Sequence, residues 1–564
     1  MKKYFFPIIG LIVFASCNDL DLNPLSYGSS ETWYSTATEI DMSLNGLYKD
    51  AFIGNDNDEW TDDFMYRTSL TEFTSATVNG LSGNVTSLWN NSYKAITRAN
   101  TVLAGIDRAT TISTATSKKF KAEARFIRAY QYSRLIAHFG DVPYYENVLK
   151  LEDAFAMGKT SKTEILKSIY NDFDSAAIYL PKTYTAKENK RATQGAALAL
   201  KARIALYMGD FATASVAAKA CMDLAPTAGY DLHADYSNLF LSSTKNSKET
   251  IFGIPRSVVL KVTLGGIQDY IPRLAGGWGA KQPSWDLLCS YVCTDGLPID
   301  ESPLFNPRNP FKNRDPRCNA TLVEFQTPHL GYMYNPHPDS LKVLNLSTNK
   351  YVTNNDNRAN AQFASFNGLL LKKGVDGDCL LNSWQIEPDK IVIRYADVLL
   401  IYAEAKIELN QIDQSVRDAM NKVRARAYKV AYTSTSAYPA ITATTQTDLR
   451  KILRAERHME FSFEGLRYMD LIRWKIAEKV LNNPNYGMLD PAELRTKVVK
   501  AGLWFLPQTP AIDDNGIADF KPMADAGLIK LITVRAFDAT KQYLWPIPTK
   551  EVQINSNLLQ NPNY

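Results

Sequence analysis

Helical periodicity between Val85 and Leu224 is the feature that most constrains how this chain can fold. Apolar residues recur every three or four positions through five successive segments, which predicts amphipathic helices. Gly140-Asp141 and Gly209-Asp210 follow two of these segments, where glycine commonly ends a helix. The predicted helices are 87–106, 117–139, 163–180, 193–207 and 211–224.

The last two predicted helices resemble one unit of a tetratricopeptide array. One face of the first helix carries small side chains, Ala196, Ala199, Ala202 and Ala205. Small residues let paired helices approach closely, and a helical hairpin of about 34 residues is the tetratricopeptide unit. A second hairpin is predicted at 394–426, with its turn at Asn410-Gln411, and residues 122–147 resemble part of a third.

Residues 228–390 interrupt the repeats with a segment rich in Gly, Pro and Asn and poor in helical periodicity. A connection of this length without structure is uncommon in a compact domain unless it has a function. We therefore predict a mainly α-helical scaffold that carries a loop-rich lobe, and we expect the ligand site in that lobe.

The N-terminal residues predict a bacterial lipoprotein leader. Lys2 and Lys3 precede an apolar run, 4–15, which is shorter than the roughly 20 residues that a membrane-spanning helix needs. Phe14-Ala15-Ser16-Cys17 resembles a lipobox, the cleavage motif of lipoprotein signal peptides. We expect residues 1–16 to be the signal peptide and Cys17 to carry the lipid that anchors the chain to a membrane.

Composition and motifs argue against several function classes. The 63 basic and 59 acidic residues leave a net charge of +4, and no basic stripe interleaved with aromatics predicts nucleic-acid binding. The sequence lacks an HExxH pair, a GxSxG elbow and a complete phosphate-binding loop. Five cysteines remain after Cys17, an odd number that does not make a disulfide framework, and Cys289 and Cys293 are interpreted as buried small apolar residues. We expect no catalytic residue and no metal ligand.

Several stretches together resemble the SusD/RagB family of outer-membrane lipoproteins from Bacteroidetes, over essentially the whole chain after Cys17. Their order and spacing are more specific than any one of them. The stretches are Arg125–Tyr144, Arg394–Ala405, Ile452–Trp474, Leu544–Pro548 and Asn561–Tyr564.

The resemblance implies a fold and a role. The fold would be four tetratricopeptide-like helix pairs in an α-superhelical scaffold, divided as 17–227 (N-terminal helical part), 228–390 (variable lobe) and 391–564 (C-terminal helical part). The role would be to bind an oligosaccharide at the outer face of the outer membrane. The protein would then act as a lid on a TonB-dependent, SusC-like transporter that imports the glycan.

The carboxylates of the third stretch are interpreted as structural. Glu456, Glu460 and Glu464 recur every four residues beside Arg457 and Arg467, so ion pairs between adjacent helical turns are available. A glycosidase would need two carboxylates on opposite sides of a sugar, about 5–10 Å apart. Neighbouring turns of one helix do not normally provide that arrangement, so we expect a binding protein rather than an enzyme.

Sugar binding requires flat aromatic faces and planar polar groups. The first region that offers both contains Trp60, Asp62, Asp63, Tyr66 and Arg67. In it, Tyr66-Arg67-Thr68 resembles a stretch of starch-binding family members whose arginine contacts sugar. The tryptophan pair that those members carry further on is missing from Ala76–Leu81, which argues against starch as the ligand.

The acidic run 56–63 belongs to the same region. It is dense in carboxylates, but Trp60 and Thr61 stand where a calcium-binding loop would need an oxygen ligand and a glycine. We expect a solvated or sugar-binding loop. A structural calcium ion is the one cofactor that the run leaves open.

The second region runs from Tyr270 to Trp285 and contains Gly276-Gly277-Trp278-Gly279. Glycines beside Trp278 favour an exposed ring on a flexible tip, although Trp278 and Trp285 could instead belong to the core. Arg358, in the polar run 354–360, is a third candidate ligand residue. A peptide-binding protein of the RagB type is the alternative function, and it would use unpaired backbone groups rather than an aromatic platform.

Overall fold

A computed structural model gives the fold and describes residues 33–184 and 190–564. The predicted signal peptide 1–16 and Cys17 lie outside the described residues. The helices are α1 Ala37–Asn45, α2 Gly83–Arg108, α3 Thr114–Phe139, α4 Leu151–Ala156, α5 Lys162–Tyr179, α6 Gln194–Tyr207, α7 Phe211–Ala228, α8 Trp285–Ser290, α9 Pro316–Thr321, α10 Tyr395–Glu408, α11 Gln414–Ala427, α12 Gln446–Phe461, α13 Arg467–Arg473, α14 Ala477–Val480, α15 Pro491–Glu493, α16 Lys521–Asp525 and α17 Thr549–Ile554.

The strands are short and most form two-stranded sheets. They are β1 Phe64–Tyr66, β2 Thr250–Ile254, β3 Lys281–Pro283, β4 Thr327–His329, β5 Tyr332–Tyr334, β6 Lys342–Asn345, β7 Lys350–Thr353, β8 Lys390–Arg394, β9 Asn485–Gly487, β10 Ala511–Ile512, β11 Ala518–Asp519 and β12 Lys530–Thr533. The pairs are β1 with β3, β2 with β8, β9 with β12 and β10 with β11, and β4 to β7 form an antiparallel meander.

The prediction of a mainly α fold with a tetratricopeptide-like scaffold is confirmed, since helices make up 42% of the structure. The long helices pack in sequence, α2 on α3, α3 on α5, α5 on α6, α6 on α7 and α7 on α10, with α11 and α12 against α10. The alanines of α6 are fully buried, which allows α6 and α7 to pack closely as the sequence predicted. Ser113, Thr193 and Asp210 cap α3, α6 and α7 with side-chain oxygens that accept backbone N–H groups.

The lobe has a hydrophobic core of its own. Its members include Trp285, Leu288 and Leu369 from the segment 228–390, and Phe505 and Phe520 from the C-terminal part of the chain. Residues 485–530, which the sequence analysis grouped with the C-terminal helices, therefore share a core with the variable segment. None of the helices in 33–184 and 190–564 combines the length and apolar content that crossing a membrane would require.

A buried network of charged side chains joins the lobe to the scaffold. Glu460 of α12 is fully buried, and its carboxylate accepts hydrogen bonds from Arg394 at 2.6 Å, from Arg317 at 2.9 Å and from Arg426. Arg317 lies in α9 of the lobe, whereas Arg394 and Arg426 lie in the scaffold. The other members of the network are Glu249, Asp315, Lys373, Arg424, Glu456 and Glu464.

The partners of the charged residues between 456 and 467 differ from those that the sequence predicted. Arg457 pairs with Asp397 and Asp470, and Arg467 pairs with Asp62. Neither arginine forms an ion pair with Glu456, Glu460 or Glu464. The prediction that Glu456, Glu460 and Glu464 are structural agrees with the full burial of Glu456 and Glu460 and the partial burial of Glu464. The prediction of ion pairs between adjacent turns is wrong, because α12 is packed on both sides by segments that supply better-placed arginines.

All five cysteines after Cys17 are free and buried. Their burial agrees with the interpretation of Cys289 and Cys293 as small apolar core residues.

Candidate ligand-binding surface

The first two sequence-predicted ligand regions meet at an antiparallel strand pair. Strand β1 pairs with β3, which places Tyr66 opposite Lys281. The backbone N–H of Ser284 continues the contact by donating to the carbonyl of Asp63 at 3.0 Å. Arg67, at the end of β1, therefore lies beside the loop 268–280 that carries Trp278.

Arg67 connects three separate segments. Its Nη2 donates to the backbone carbonyl of Trp278 at 3.0 Å, and its guanidinium lies 5.3 Å from the centroid of the Phe363 ring. Arg67 has a φ of 45°, a left-handed conformation that is uncommon outside glycine. The left-handed backbone directs the end of β1 toward the loop and toward Phe363.

Three aromatic residues of these segments are exposed. Trp278 is 53% exposed, Phe363 is 51% exposed and Tyr66 is 37% exposed. We call Tyr66, Arg67, Trp278 and Phe363 the platform surface. Sugar recognition uses two kinds of group, and both are present here. Aromatic rings offer apolar faces for C–H groups, and the guanidinium offers planar donors for hydroxyls.

The loop beneath Trp278 is tightly packed. A side chain at Gly276 would approach the Trp384 ring to 2.5 Å, and one at Gly277 would approach the Ile271 carbonyl to 2.2 Å. Gly276 also has a φ of 89°. Glycine is therefore required at 276 and 277 for close packing against Trp384 and Ile271. The exposure of Trp278 agrees with the prediction, whereas the flexibility of the tip stays a prediction.

Asp356 ties this loop to the segment that carries Phe363. Its buried carboxylate accepts the backbone N–H groups of Arg273 at 2.7 Å and of Leu274 at 3.2 Å. Burial raises the pKa of Asp356 to about 6, and the two backbone hydrogen bonds oppose that shift. The platform surface thus rests on an internal anchor rather than on freely moving loops.

Trp60 is a core residue, and the prediction that it forms a sugar platform is wrong. Its ring packs against Phe73, Tyr468 and Trp545 at centroid distances of 4.4, 5.5 and 5.2 Å. Only 6% of the residue is exposed.

Asp62 and Asp63 are buried as well, which corrects the expectation of a solvated or sugar-binding loop. Asp62 accepts two hydrogen bonds from Arg467, at 2.9 and 2.8 Å, and Asp63 lies 2.5 Å from Nε2 of His458. Burial alone would raise the pKa of Asp62, but Arg467 outweighs it and the pKa lies well below its usual range.

Ligand atoms of Asp62, Asp63 and His458 lie within 4.8 Å of one another, close enough to hold a metal ion. The guanidinium of Arg467, however, already supplies a cation to both oxygens of Asp62. This donor set therefore fits a buried ion-pair cluster better than a metal centre.

Trp285 is also core. Its Nε1 donates to the carbonyl of Asn367 at 2.8 Å and the residue is 2% exposed, so its predicted ligand role is wrong. Tyr270 is partly buried beside Phe463, with the Lys281 ammonium 5.8 Å from its ring centroid.

Arg358 pairs with Asp490 at 2.9 Å and covers the Phe366 ring at 4.3 Å. The ligand roles of Tyr270 and Arg358 stay predictions.

Phe363 and Arg273 are residues of this neighbourhood that the sequence analysis did not select. Phe363 stands in an unremarkable polar stretch, and only its contact with Arg67 brings it to the platform. Arg273 lies inside the selected region 270–285, and a search for cations beside Trp278 would have found it.

Comparisons with known proteins agree with the sequence resemblance. A model of the family described as "SusD family" matches residues 263–564, and one described as "Starch-binding associating with outer membrane" matches residues 21–206. A SusD-like protein from Formosa agariphila is 26% identical over 100% of both chains. Another from Bacteroides ovatus is 24% identical over 84% of this chain and 82% of the relative. The crystal structure of a SusD-like carbohydrate binding protein from Bacteroides fragilis matches with a TM-score of 0.74, at 28% identity over 93% of this chain and 99% of that chain.

Proposed function

This chain belongs to the SusD family, and from that membership we propose that it is a cell-surface glycan-binding lipoprotein. It captures an oligosaccharide and passes it to a TonB-dependent, SusC-like transporter, over which it acts as a lid. The B. fragilis protein of similar structure is described as carbohydrate binding, which supports a glycan as the ligand.

The platform surface is the observation that carries the proposal. Trp278 and Phe363 expose about half of their surface in the free protein, and Arg67 stands between their segments. Exposed flat rings favour a sugar ligand, whereas a peptide site of the strand-addition type would use unpaired strand edges. A peptide ligand is therefore the less favoured alternative.

Binding without hydrolysis is part of the proposal. Glu456 and Glu460 of α12, and Glu464 just after it, are the carboxylates that a glycosidase interpretation would use. All three accept hydrogen bonds from arginines of the buried network. They are not placed on two sides of an open cleft, as glycoside hydrolysis requires.

Trp278→Ala is expected to weaken glycan binding by about 1–3 kcal/mol, the effect of removing an aromatic binding hot spot. That is roughly a 5- to 150-fold rise in Kd. Phe363→Ala should act in the same direction. Calorimetric titration with the glycan that retards the protein in affinity gels measures the effect, and a melting curve on each variant should show little change.

Phe155→Ala is the matched control, because Phe155 is 48% exposed on α4, within the helical scaffold. Its affinity should equal that of the unmodified protein. Unchanged affinity in both Trp278→Ala and Phe363→Ala would contradict the assignment of the platform surface.

Cys17→Ala tests the anchor. Loss of the thiol removes the site for lipid attachment, so the variant is expected to leave the detergent phase in Triton X-114 partitioning and to appear in the aqueous phase. Cys221→Ala, which changes a buried free cysteine, is the control and should partition like the unmodified protein. Retention of the Cys17→Ala protein in the membrane would show that the lipoprotein assignment is wrong.

A further inference from the structure

Two arginines of the platform neighbourhood form no ion pair with any described carboxylate. Arg67 makes one side-chain hydrogen bond, to the Trp278 carbonyl, and no ion pair with any described residue. The side chain of Arg273 has neither a hydrogen bond nor an ion pair within the described ranges. In both residues Nε is buried without an acceptor.

The nearby carboxylates make their described contacts with other groups. Glu59 accepts a hydrogen bond from Lys281, and Asp269 lies 3.8 Å from the same ammonium. Asp356 accepts the backbone N–H groups of Arg273 and Leu274, and the positive charge of Arg273 also lowers the pKa of Asp356. The two guanidiniums are therefore left without a counter-charge in direct contact.

Arg273 lies in the loop that carries Trp278, and Arg67 donates to the backbone carbonyl of that tryptophan. Partial burial lowers the pKa of Arg67, and the positive charge of Arg273 lowers it further, while Tyr66 and Asp269 act in the opposite direction. The arginines of the buried network, in contrast, are paired with several carboxylates. Arg394, for example, contacts three glutamates, and Arg317 contacts Asp315 and two glutamates.

A guanidinium presents a planar fork of N–H donors that matches a carboxylate or an oxyanion of sulfur or phosphorus, often through two parallel hydrogen bonds. Two such groups near exposed aromatic residues favour a ligand that carries an anion. A neutral sugar would satisfy some of the N–H donors but would bring no negative charge to pair with the guanidiniums.

We propose that the ligand of the platform surface is an acidic glycan, held through its carboxylate or sulfate-ester groups by Arg67 and Arg273. Trp278 and Phe363 then cover the apolar face of a sugar ring next to the charged group. This inference rests on the proposed glycan-binding function and specifies the chemical class of the ligand.

Matched pairs of polysaccharides test the inference with the full-length protein. Polygalacturonate is compared with the same polymer after reduction of its carboxyl groups, and κ-carrageenan is compared with its desulfated form. We expect at least tenfold tighter binding to the acidic member of one pair in affinity gels and calorimetry, weakening as salt concentration rises. The pair that shows the preference identifies the anion as a carboxylate or a sulfate ester.

Arg67→Gln and Arg273→Gln should each reduce the affinity for the acidic polymer about tenfold or more and should remove most of its salt dependence. Arg417→Gln is the control, since Arg417 is half-buried on α11, away from the platform surface, and its side chain hydrogen-bonds only Gln414 among the described residues. Melting curves identify any variant that fails to fold, and the second arginine variant then carries the test.

Two outcomes would contradict the inference in different ways. Equal or tighter binding to the neutral member of each pair, unaffected by either arginine variant, would overturn the acidic ligand and leave glycan binding intact. If none of the four polymers, nor any of a wider panel of neutral polysaccharides, binds the folded protein, the proposed function itself fails.

Discussion

Glu460→Gln is expected to lower the free energy of unfolding by about 3–5 kcal/mol, the cost of breaking a buried ion pair from one side. The substitution keeps the volume of the side chain but removes the negative charge that Arg317, Arg394 and Arg426 share. One positive charge is then left uncompensated in a site with no exposure to solvent. Urea denaturation followed by circular dichroism measures the change.

Asp223→Asn is the matched control. Asp223 pairs with Lys219 one turn away on the exposed face of α7, a kind of ion pair that contributes about 0.3–0.5 kcal/mol. A Glu460→Gln protein as stable as Asp223→Asn would contradict the structural role of the network.

Glu460→Gln should also change how the free energy of unfolding depends on pH. Burial raises the pKa of Glu460, but Arg426, Arg394 and Arg317 outweigh it and hold the pKa well below its usual range. A carboxyl group with a lowered pKa stabilises the fold above its unfolded-state pKa, about 4.3 for glutamate, and loses that contribution as pH falls further. The unmodified protein should therefore lose stability below about pH 4 more steeply than Glu460→Gln.

The helical scaffold could be predicted because its signals are local. Periodicity and capping residues place α2, α3, α5, α6 and α7 to within a few residues of their bounds in the structure. The buried network could not be predicted in the same way. Charges spaced by one turn suggest partners on the same helix, whereas the partners of Glu460 come from positions 317, 394 and 426. Only the packing of the lobe on the scaffold brings them together.

The ligand surface could be predicted only in part, because it too depends on contacts between segments that are distant in sequence. Arg67 and Trp278 were selected separately, and the pairing of β1 with β3 joins their segments. Composition cannot show whether a tryptophan in a polar loop is exposed, because its burial depends on residues far away in sequence. Trp60 and Trp278 both stand among polar or small residues, yet one lies in the core and the other at the surface.

Trp60→Ala is expected to lower the free energy of unfolding by about 3–5 kcal/mol, the usual cost of truncating a buried tryptophan. The ring lies in a cluster with Phe73, Tyr468 and Trp545, and its removal leaves a cavity that these rings cannot fill without leaving their present contacts. Denaturant unfolding measures the loss, and calorimetry on the folded variant should give an unchanged affinity for glycan.

Trp278→Ala is the matched comparison, because the same truncation is made at a ring that is 53% exposed. The expected results are opposite in kind: Trp60→Ala loses stability and keeps affinity, whereas Trp278→Ala loses affinity and keeps stability. A Trp60→Ala protein that melts normally but binds glycan weakly would contradict the core assignment. It would move the ligand site from the platform surface toward the acidic run 56–63, because Trp60 contacts ligand only if that segment opens.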